Sequence, residues 1–241
     1  MYKKVGLASL IMMASVFLSR LTGLIREQVI AYIGGISGGV DAYQVAFIIP
    51  EILNHVVASG FLSVTFIPIF SLYLVRNQED EGWRVFSLIL TGFGSLLLVL
   101  ITIACVFARG FVEILAPGLD DPVLIEQAVR MTRIIIPAQF FFFSGGMFMA
   151  VQFAKEKFLI PALSPLLYNL GIICGGVLLG PRIGMEGFSW GVFVGAFIGN
   201  FMVQLWGAKK VGMRFTAALD FRHPDLWLYV RLTLPLMIGL T

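Results

Sequence analysis

Long apolar segments, separated by short polar connections, constrain the fold of this chain more than any other feature. The 241 residues are 59% hydrophobic and only 13% charged, whereas about 25% of the residues of a soluble domain are charged. A helix needs about 20 apolar residues to cross a hydrocarbon core about 30 Å thick. The sequence therefore predicts an all-α protein, a polytopic bundle of transmembrane helices.

Six complete helices and the beginning of a seventh account for these segments. The six are predicted at about residues 5–33, 42–74, 85–108, 124–153, 158–179 and 188–207. We interpret residues 1–210 as an N-terminal transmembrane lobe and 211–225 as a cytoplasmic linker. Residues 226–241 are interpreted as the truncated start of the seventh helix, because so few residues cannot span a bilayer.

The second apolar segment is too long to cross the membrane as one straight helix. Residues 42–74 would extend roughly 50 Å at the helical rise per residue. Proline and paired small residues are the usual causes of a kink. We therefore expect Pro50, Gly60 and Pro68 to bend or break this segment.

The Lys and Arg residues of the connections predict the orientation, because short cytoplasmic loops carry an excess of both. One set of alternate connections holds ten: Lys3, Lys4, Arg76, Arg84, Lys155, Lys157, Lys209, Lys210, Arg214 and Arg222. The other set holds only Arg109 and Arg182. We expect a cytoplasmic N-terminus and take the basic excess as a topology signal, without a nucleic-acid partner. A signal peptide after Lys3-Lys4 is the alternative, although no clear cleavage site follows.

Arg20 and Arg26 lie inside the first predicted helix, in its outer half. A charged side chain near the middle of a bilayer costs about 3 kcal/mol, so it persists where it faces water, a counter-ion or an anionic ligand. A guanidinium fork matches phosphate oxygens, and an anion site is therefore the functional hypothesis. A bend at Thr22-Gly23 would turn both arginines toward one cavity. The alternative is that they extend to the outer headgroups or pair with Asp41.

The other polar residues of the apolar segments indicate a binding site less specifically than the two arginines. Asn54 and His55 follow Pro50 by about one turn, and either line the same cavity or bond the backbone at the kink. Arg130 and Arg133 either contact headgroups or form a rim that attracts anions. The remaining amides are expected to form interhelical hydrogen bonds: Gln139, Gln152, Asn169, Asn200 and Gln204.

Patterns typical of soluble enzymes are absent from the sequence. No glycine-rich phosphate loop follows a strand and no HExxH motif occurs. Cys105 and Cys174 both lie in apolar segments, which supports neither a disulfide framework nor a cysteine metal site. Asp120-Asp121 could serve an embedded transferase, but the preceding Ala-Pro-Gly favours a turn. We expect no enzyme, no cofactor and no metal.

Several segments resemble a known family. Residues 19–27 (SRLTGLIRE), 40–43 (VDAY) and 46–50 (AFIIP) are similar to the opening of the MurJ (MviN) lipid II flippases. That family belongs to the multidrug/oligosaccharidyl-lipid/polysaccharide exporter superfamily. Residues 116–118 (APG) and 158–162 (FLIPA), followed by Pro165 and Asn169, agree with it.

The resemblance implies a transporter of the bacterial cytoplasmic membrane that moves lipid II, an undecaprenyl-pyrophosphate-linked peptidoglycan precursor, from the inner to the outer leaflet. Two helical lobes of such a protein enclose a cationic cavity and alternate in access. Arg20 and Arg26 match arginines implicated in holding the pyrophosphate, and Asp41 matches an acidic residue that starts the second helix. With Asn54 and His55, these are the predicted substrate-binding residues.

The sequence departs from the family pattern in the second helix. The family usually has an Arg pair followed by Ala-Glu-Gly, whereas this chain has Asn54-His55 and then Ala58-Ser59-Gly60. A flippase for another polyprenyl-linked oligosaccharide therefore stays open. Two further alternatives stay open. One is a drug or ion antiporter of the same superfamily, which would have an acidic cavity, and the other is a membrane scaffold. Because family members are about twice as long, we expect a C-terminal lobe of the same parent chain as a partner, besides membrane lipids.

Overall fold

A computed structural model describes the backbone of residues 2–55, 60–220 and 223–238. Over these ranges the chain is helical with turns and contains no strand, so the all-α prediction is confirmed. The helices are α1 Tyr2–Gly34, α2 Gly38–Leu53, α3 Gly60–Val75, α4 Glu79–Val106, α5 Ala108–Leu115, α6 Pro122–Ile135, α7 Ala138–Ala154, α8 Leu159–Ile183, α9 Glu186–Gly195, α10 Val203–Lys210 and α11 Pro224–Ile238. A π-helical segment, Ala196–Met202, joins α9 to α10.

Length and composition identify four helical segments of the described chain that can cross a membrane. They are Glu79–Val106, Pro122–Ala154, Leu159–Ile183 and Glu186–Lys210. The second of these joins α6 to α7 across Pro137, and the fourth joins α9 to α10. Thr65–Val75 is a shorter apolar helix. The total of six crossings stays a prediction.

Local sequence explains where several helices begin and end. The carboxylate of Asp121 accepts a hydrogen bond from the backbone N–H of Val123 at 2.8 Å, and Pro122 occupies the first position of α6. Both features favour a helix start. Gly35 and Gly184 have positive φ angles, +58° and +59°. Glycine adopts this conformation without strain, and it ends α1 and α8 in tight turns.

The second apolar segment is described as two helices. α2 begins at Gly38, earlier than predicted, and contains Pro50, while α3 begins at Gly60 and contains Pro68. Asn54 and His55 continue α2 in π-helical geometry. Residues 56–59, which include Ala58 and Ser59, lie outside the described part of the chain.

Two other predicted segments differ from the observed helices. α4 begins at Glu79, six residues before the predicted start at 85, because Glu79, Asp80 and Glu81 stabilise the positive end of the helix dipole. α5 lies in the connection that was predicted to be a loop after residue 108. Its eight residues are too few for a membrane segment, and hydropathy alone does not detect such a helix.

The segment before α11 and the first turn of α11 are fixed to the other helices by polar contacts. Arg214 pairs with Asp80, and Tyr73 donates a hydrogen bond to Asp225. Further contacts are the backbone N–H of Thr216 to Ser87 Oγ at 3.2 Å, His223 Nε2 to Glu81 Oε1 at 3.2 Å, and Lys155 Nζ to the carbonyl of Val211 at 2.8 Å. The described part of residues 211–225 is therefore an anchored connection.

Candidate functional site

A cavity of about 450 Å³ lies among α1, α2, the α6–α7 pair, α8 and α9. Its polar lining residues are Arg26, Glu27, Gln44, Glu51, Asn54 and Gln139. Aromatic rings of Tyr43, Phe47, Phe142 and Tyr168 form much of the remaining wall. Ligand sites typically have about 300–1,000 Å³ and combine apolar walls with a few polar groups, so this cavity has the size and lining of a binding site.

Arg26 is held at the cavity by two side chains. Its Nη1 donates to Asn169 Oδ1 at 3.2 Å and its Nε donates to Glu27 Oε1 at 3.1 Å. The Nη2 group pairs with the same carboxylate. The Arg26 side chain is 28% exposed, and these bonds use about three of the five N–H donors of a guanidinium. The protein's own side chains thus orient the guanidinium.

Both polar atoms of the Asn169 side-chain amide form hydrogen bonds from α8 to α1. While its Oδ1 accepts from Arg26, its Nδ2 donates to the carbonyl of Ser19 at 3.3 Å and to Thr22 Oγ1 at 3.4 Å. Asn169 is only 7% exposed. α1 stays helical through Thr22-Gly23, so no break in this helix turns Arg20 toward Arg26.

The cavity lining has mixed charge. Arg26 contributes a positive charge, while Glu27 and Glu51 contribute two carboxylates. This differs from the cationic cavity that the resemblance implies. A pocket with one oriented guanidinium beside carboxylates and amides can bind an anion and also accept hydrogen bonds from neutral donors.

The structure brings together two of the five predicted substrate-binding residues. Arg26 and Asn54 line the cavity, whereas Arg20, Asp41 and His55 are not among its lining residues. All three are exposed: Arg20 on α1, Asp41 in the first turn of α2 and His55 after α2. Arg20 lies about 9 Å along the α1 axis from Arg26, calculated from the helical rise.

The predicted substrate-binding residues do not include four polar residues that also line the cavity: Glu27, Gln44, Glu51 and Gln139. A signal for the α2 residues exists, because Gln44, Phe47, Glu51 and Asn54 recur at helical spacing and share one face. Gln139 belongs to another helix, and only tertiary packing places it at this cavity.

Other polar residues of the helices form contacts away from this cavity. Gln152 donates to Gln204 Oε1 at 3.2 Å, and Arg133 donates to the carbonyl of Cys105 at 3.1 Å. Arg130 pairs with Glu186 at 2.9 Å beside a second cavity of about 440 Å³. Among the described residues, no group of three or more His, Cys, Asp or Glu residues is arranged to hold a metal ion.

Comparison with known families gives a match to the family described as "Lipid II flippase MurJ" over residues 30–241. The chain belongs to the MurJ family. The resemblance found in the sequence is thereby confirmed, and with the apolar helices it makes this chain part of a multi-pass membrane protein. The matched range begins after Arg20 and Arg26.

Individual MurJ proteins are similar over most of this chain. It is 33% identical over 216 residues to the lipid II flippase MurJ of Burkholderia cenocepacia, with 87% of this chain and 42% of that protein covered. It is 34% identical to the probable lipid II flippase MurJ of Buchnera aphidicola subsp. Baizongia pistaciae, over 82% of this chain and 39% of that protein. The chain thus spans less than half of the length of these relatives, which are named as flippases.

Solved structures share the fold. A lipid II flippase MurJ in an inward closed conformation has a TM-score of 0.76 at 23% identity and covers 95% of this chain, which spans 47% of that structure. A transporter of the MOP superfamily from Pyrococcus furiosus, with a binding pocket of reverse polarity, has a TM-score of 0.69 at 13% identity. That match covers 98% of this chain and 52% of the transporter. At these identities the likeness shows the fold alone.

Proposed function

We propose that this chain is the N-terminal lobe of a lipid II flippase. The whole protein would move an undecaprenyl-pyrophosphate-linked saccharide from the inner to the outer leaflet by alternating access, and a C-terminal lobe of the same parent chain would close the transport pathway. Membership of the MurJ family and the names of the relatives support this substrate. The relatives are named as transporters, and we propose no enzymatic activity.

The oriented guanidinium of Arg26 carries the proposal. A pyrophosphate offers several anionic oxygens, and a guanidinium fork can bond two of them at once. Asn169 and Glu27 hold this fork at the cavity wall. Because the surroundings have a lower dielectric constant than water, the attraction between Arg26 and a phosphate is stronger than at a water-exposed surface.

Arg20, Asp41, Asn54 and His55 complete the proposed set of substrate-binding residues. Asn54 lines the same cavity as Arg26. Arg20 is exposed on this lobe, and a charge within the bilayer requires a polar neighbour. An aqueous pathway between two lobes would supply that neighbour, and Asp41 and His55 would meet the cargo from α2 at other stages of the cycle.

The membrane arrangement is part of the same proposal. The N-terminus would be cytoplasmic and the protein would lie in the bacterial cytoplasmic membrane, as the distribution of Lys and Arg among the connections indicates. Residues 1–210 would form the lobe with six crossings, 211–225 the cytoplasmic connection and 226–241 the start of the next helix.

Two alternative functions are each favoured by a specific observation. Asn54-His55, where the family usually has an Arg pair, favours a different polyprenyl-linked oligosaccharide as cargo. Glu27 and Glu51 in the cavity favour a cation-binding antiporter of the same superfamily. An antiporter would bind its cationic substrate through these carboxylates, and removal of Arg26 would not abolish that binding.

Flipping by reconstituted protein tests the proposal. The full-length protein that contains this chain is placed in liposomes, and the movement of fluorescent lipid II across the bilayer is measured. Arg26→Ala should slow flipping at least about ten-fold, because a charge-assisted hydrogen bond contributes about 1.5–3 kcal/mol. Arg109→Ala is the matched control, since Arg109 is exposed and pairs with Glu113 of α5 and Glu126 of α6, away from the cavity lining. Equal rates for Arg26→Ala and wild type, or no flipping by wild type, would contradict the proposal.

A further inference from the structure

Gln139 is a buried amide with an unused acceptor. The side chain lines the cavity and is 5% exposed, and its Oε1 has no hydrogen-bond partner among the described residues. Buried polar atoms of folded proteins almost always have a partner. The Oε1 atom itself has almost no exposed surface, so a ligand that brings its own donor would bond it once the side chain turns toward the cavity.

Three further polar residues that line the same cavity are accessible to a ligand. Gln44, Glu51 and Asn54 line the cavity from α2 or directly after it, and all three are exposed. With Gln139 they form what we call the amide wall: three neutral amides and one carboxylate. Such groups offer many acceptor sites and several N–H donors without a positive charge, which suits hydroxyl groups and amides and disfavours phosphate.

Aromatic rings flank the amide wall. Tyr43 and Phe47 lie edge to face with centroids 5.0 Å apart, and Phe142 and Tyr168 do so at 5.2 Å. The negative face of an aromatic ring attracts weakly positive C–H groups. A sugar ring has both kinds of surface, since its C–H faces pack on aromatic rings while its hydroxyl rim forms hydrogen bonds.

We propose that the amide wall binds the saccharide part of the polyprenyl-linked cargo, separately from the pyrophosphate at Arg26. Hydroxyl and N-acyl N–H groups of the saccharide would donate to Gln139 Oε1 and to the Glu51 carboxylate, while the amides of Gln44 and Asn54 would donate to its oxygens. The inference rests on the proposed function and adds to it the residues that recognise the sugar.

Two ligands that differ only in the saccharide test this assignment. Fluorescence titration of the detergent-solubilised full-length protein gives the Kd for lipid II and for undecaprenyl pyrophosphate, which has no saccharide. Gln139→Leu should raise the Kd for lipid II about five-fold, as expected for one neutral hydrogen bond, and leave the Kd for undecaprenyl pyrophosphate unchanged. Arg26→Gln should raise both values.

Control variants separate recognition from folding. Asn54→Ala tests the same wall at an exposed position, so that the prediction does not depend on the folding of the Gln139→Leu variant. Gln127→Leu makes the same chemical change at the second cavity and should leave both Kd values unaltered.

The outcomes distinguish this inference from the proposed function. If Gln139→Leu and Asn54→Ala weaken both ligands equally, or neither ligand, the assignment of the saccharide to the amide wall is wrong while the Arg26 site stands. If the wild-type protein binds both ligands with the same Kd, the saccharide contributes nothing to binding and the assignment is likewise wrong. If it binds neither, the proposed function is wrong and this inference fails with it.

Discussion

At the scale of single residues, the central arrangement is a guanidinium positioned by an amide from another helix. Asn169 bonds Arg26 with its oxygen and α1 with its nitrogen, so α8 determines where the charge lies. In a membrane, polar contacts between helices contribute about 0.6 kcal/mol on average and up to about 2 kcal/mol. We therefore expect Asn169 to act mainly through the orientation of Arg26.

The first prediction concerns the coupling of these two residues. Asn169→Ala should slow flipping of lipid II by roughly five- to ten-fold, and adding it to Arg26→Gln should cause little further loss, because residues in one network are not additive. Rates of the two single variants and the double variant in liposomes give the coupling energy. Gln127→Ala, at the second cavity, is the control. Fully additive losses would show that Asn169 does not act through Arg26.

The sequence allowed part of the site to be predicted at this scale. Arg26 and Asn54 were selected because charged and amide residues inside apolar segments are unusual, and both line the cavity. Gln139 has the same chemistry as Gln152 and Gln204, which bond each other instead. A one-dimensional pattern does not distinguish these amides, because the difference depends on which helices pack together.

At the scale of helices, glycine permits α8 and α9 to pack closely. Both helices contribute residues to the cavity wall. A Cβ added to Gly191 would lie 2.6 Å from the carbonyl oxygen of Gly171, and one added to Gly175 would lie 2.5 Å from the Cα of Gly191. Small residues at such interfaces let helix backbones approach closely. Any larger side chain has to separate the two helices.

The second prediction is that Gly191→Ala lowers the free energy of unfolding by about 1–3 kcal/mol, the usual cost of overpacking. Thermal unfolding in detergent measures the change. Gly110→Ala, in α5, serves as the matched control, because a Cβ there meets no atom within 4 Å. Equal melting temperatures for the two variants would contradict close α8–α9 packing.

The contacts between the end of α7 and the start of α4 supply a second test at this scale. Lys155 pairs with Glu79, donates to the carbonyl of Val211 and lies 5.2 Å from the centre of the Trp83 ring, with 20% of its side chain exposed. Arg214 and Asp80 are 71% and 81% exposed. Exposed ion pairs contribute little, because water and salt screen them.

The third prediction therefore compares two deletions of a basic side chain. Lys155→Ala should lower the free energy of unfolding by about 1–3 kcal/mol, because removal of this charged donor leaves its hydrogen-bond acceptors without a partner. Arg214→Ala should lower it by less than about 1 kcal/mol. Chemical denaturation of both variants in the same detergent gives the comparison, and a larger effect of Arg214→Ala would show that residues 211–225 are held mainly by their exposed ion pair.

Helix positions were predictable from the sequence, and their connections were less so. Apolar length indicated the long helices. Pro50 and Pro68, which were expected to bend or break the second apolar segment, lie inside α2 and α3. Because residues 56–59 lie outside the described part of the chain, an interruption between these two helices stays a prediction. The anchoring of the segment before α11 was not foreseen. It depends on pairs such as Arg214 with Asp80, which are distant in sequence.

At the scale of the whole molecule, the described residues present a cavity wall and exposed charges, which a second lobe would enclose in our proposal. The chain spans 42% and 39% of the two MurJ relatives compared above. Alternating access requires two bodies that move against each other around a site. Residues 1–241 contain one such body in our proposal.

The fourth prediction is that residues 1–241 alone do not flip lipid II in liposomes, because one lobe cannot close a pathway on both sides. The full-length protein, reconstituted at the same protein-to-lipid ratio, is the positive control. Flipping by the 241-residue chain at a rate similar to that of the full-length protein would refute the two-lobe account.

The most direct test of lipid II flipping through Arg26 is rescue of bacterial cells depleted of their own lipid II flippase. We predict that the full-length protein containing this chain restores growth, and that its Arg26→Ala variant does not at the same level in the membrane. Failure of the well-expressed wild-type protein would contradict lipid II as the cargo, and equal rescue by both proteins would contradict the role of Arg26.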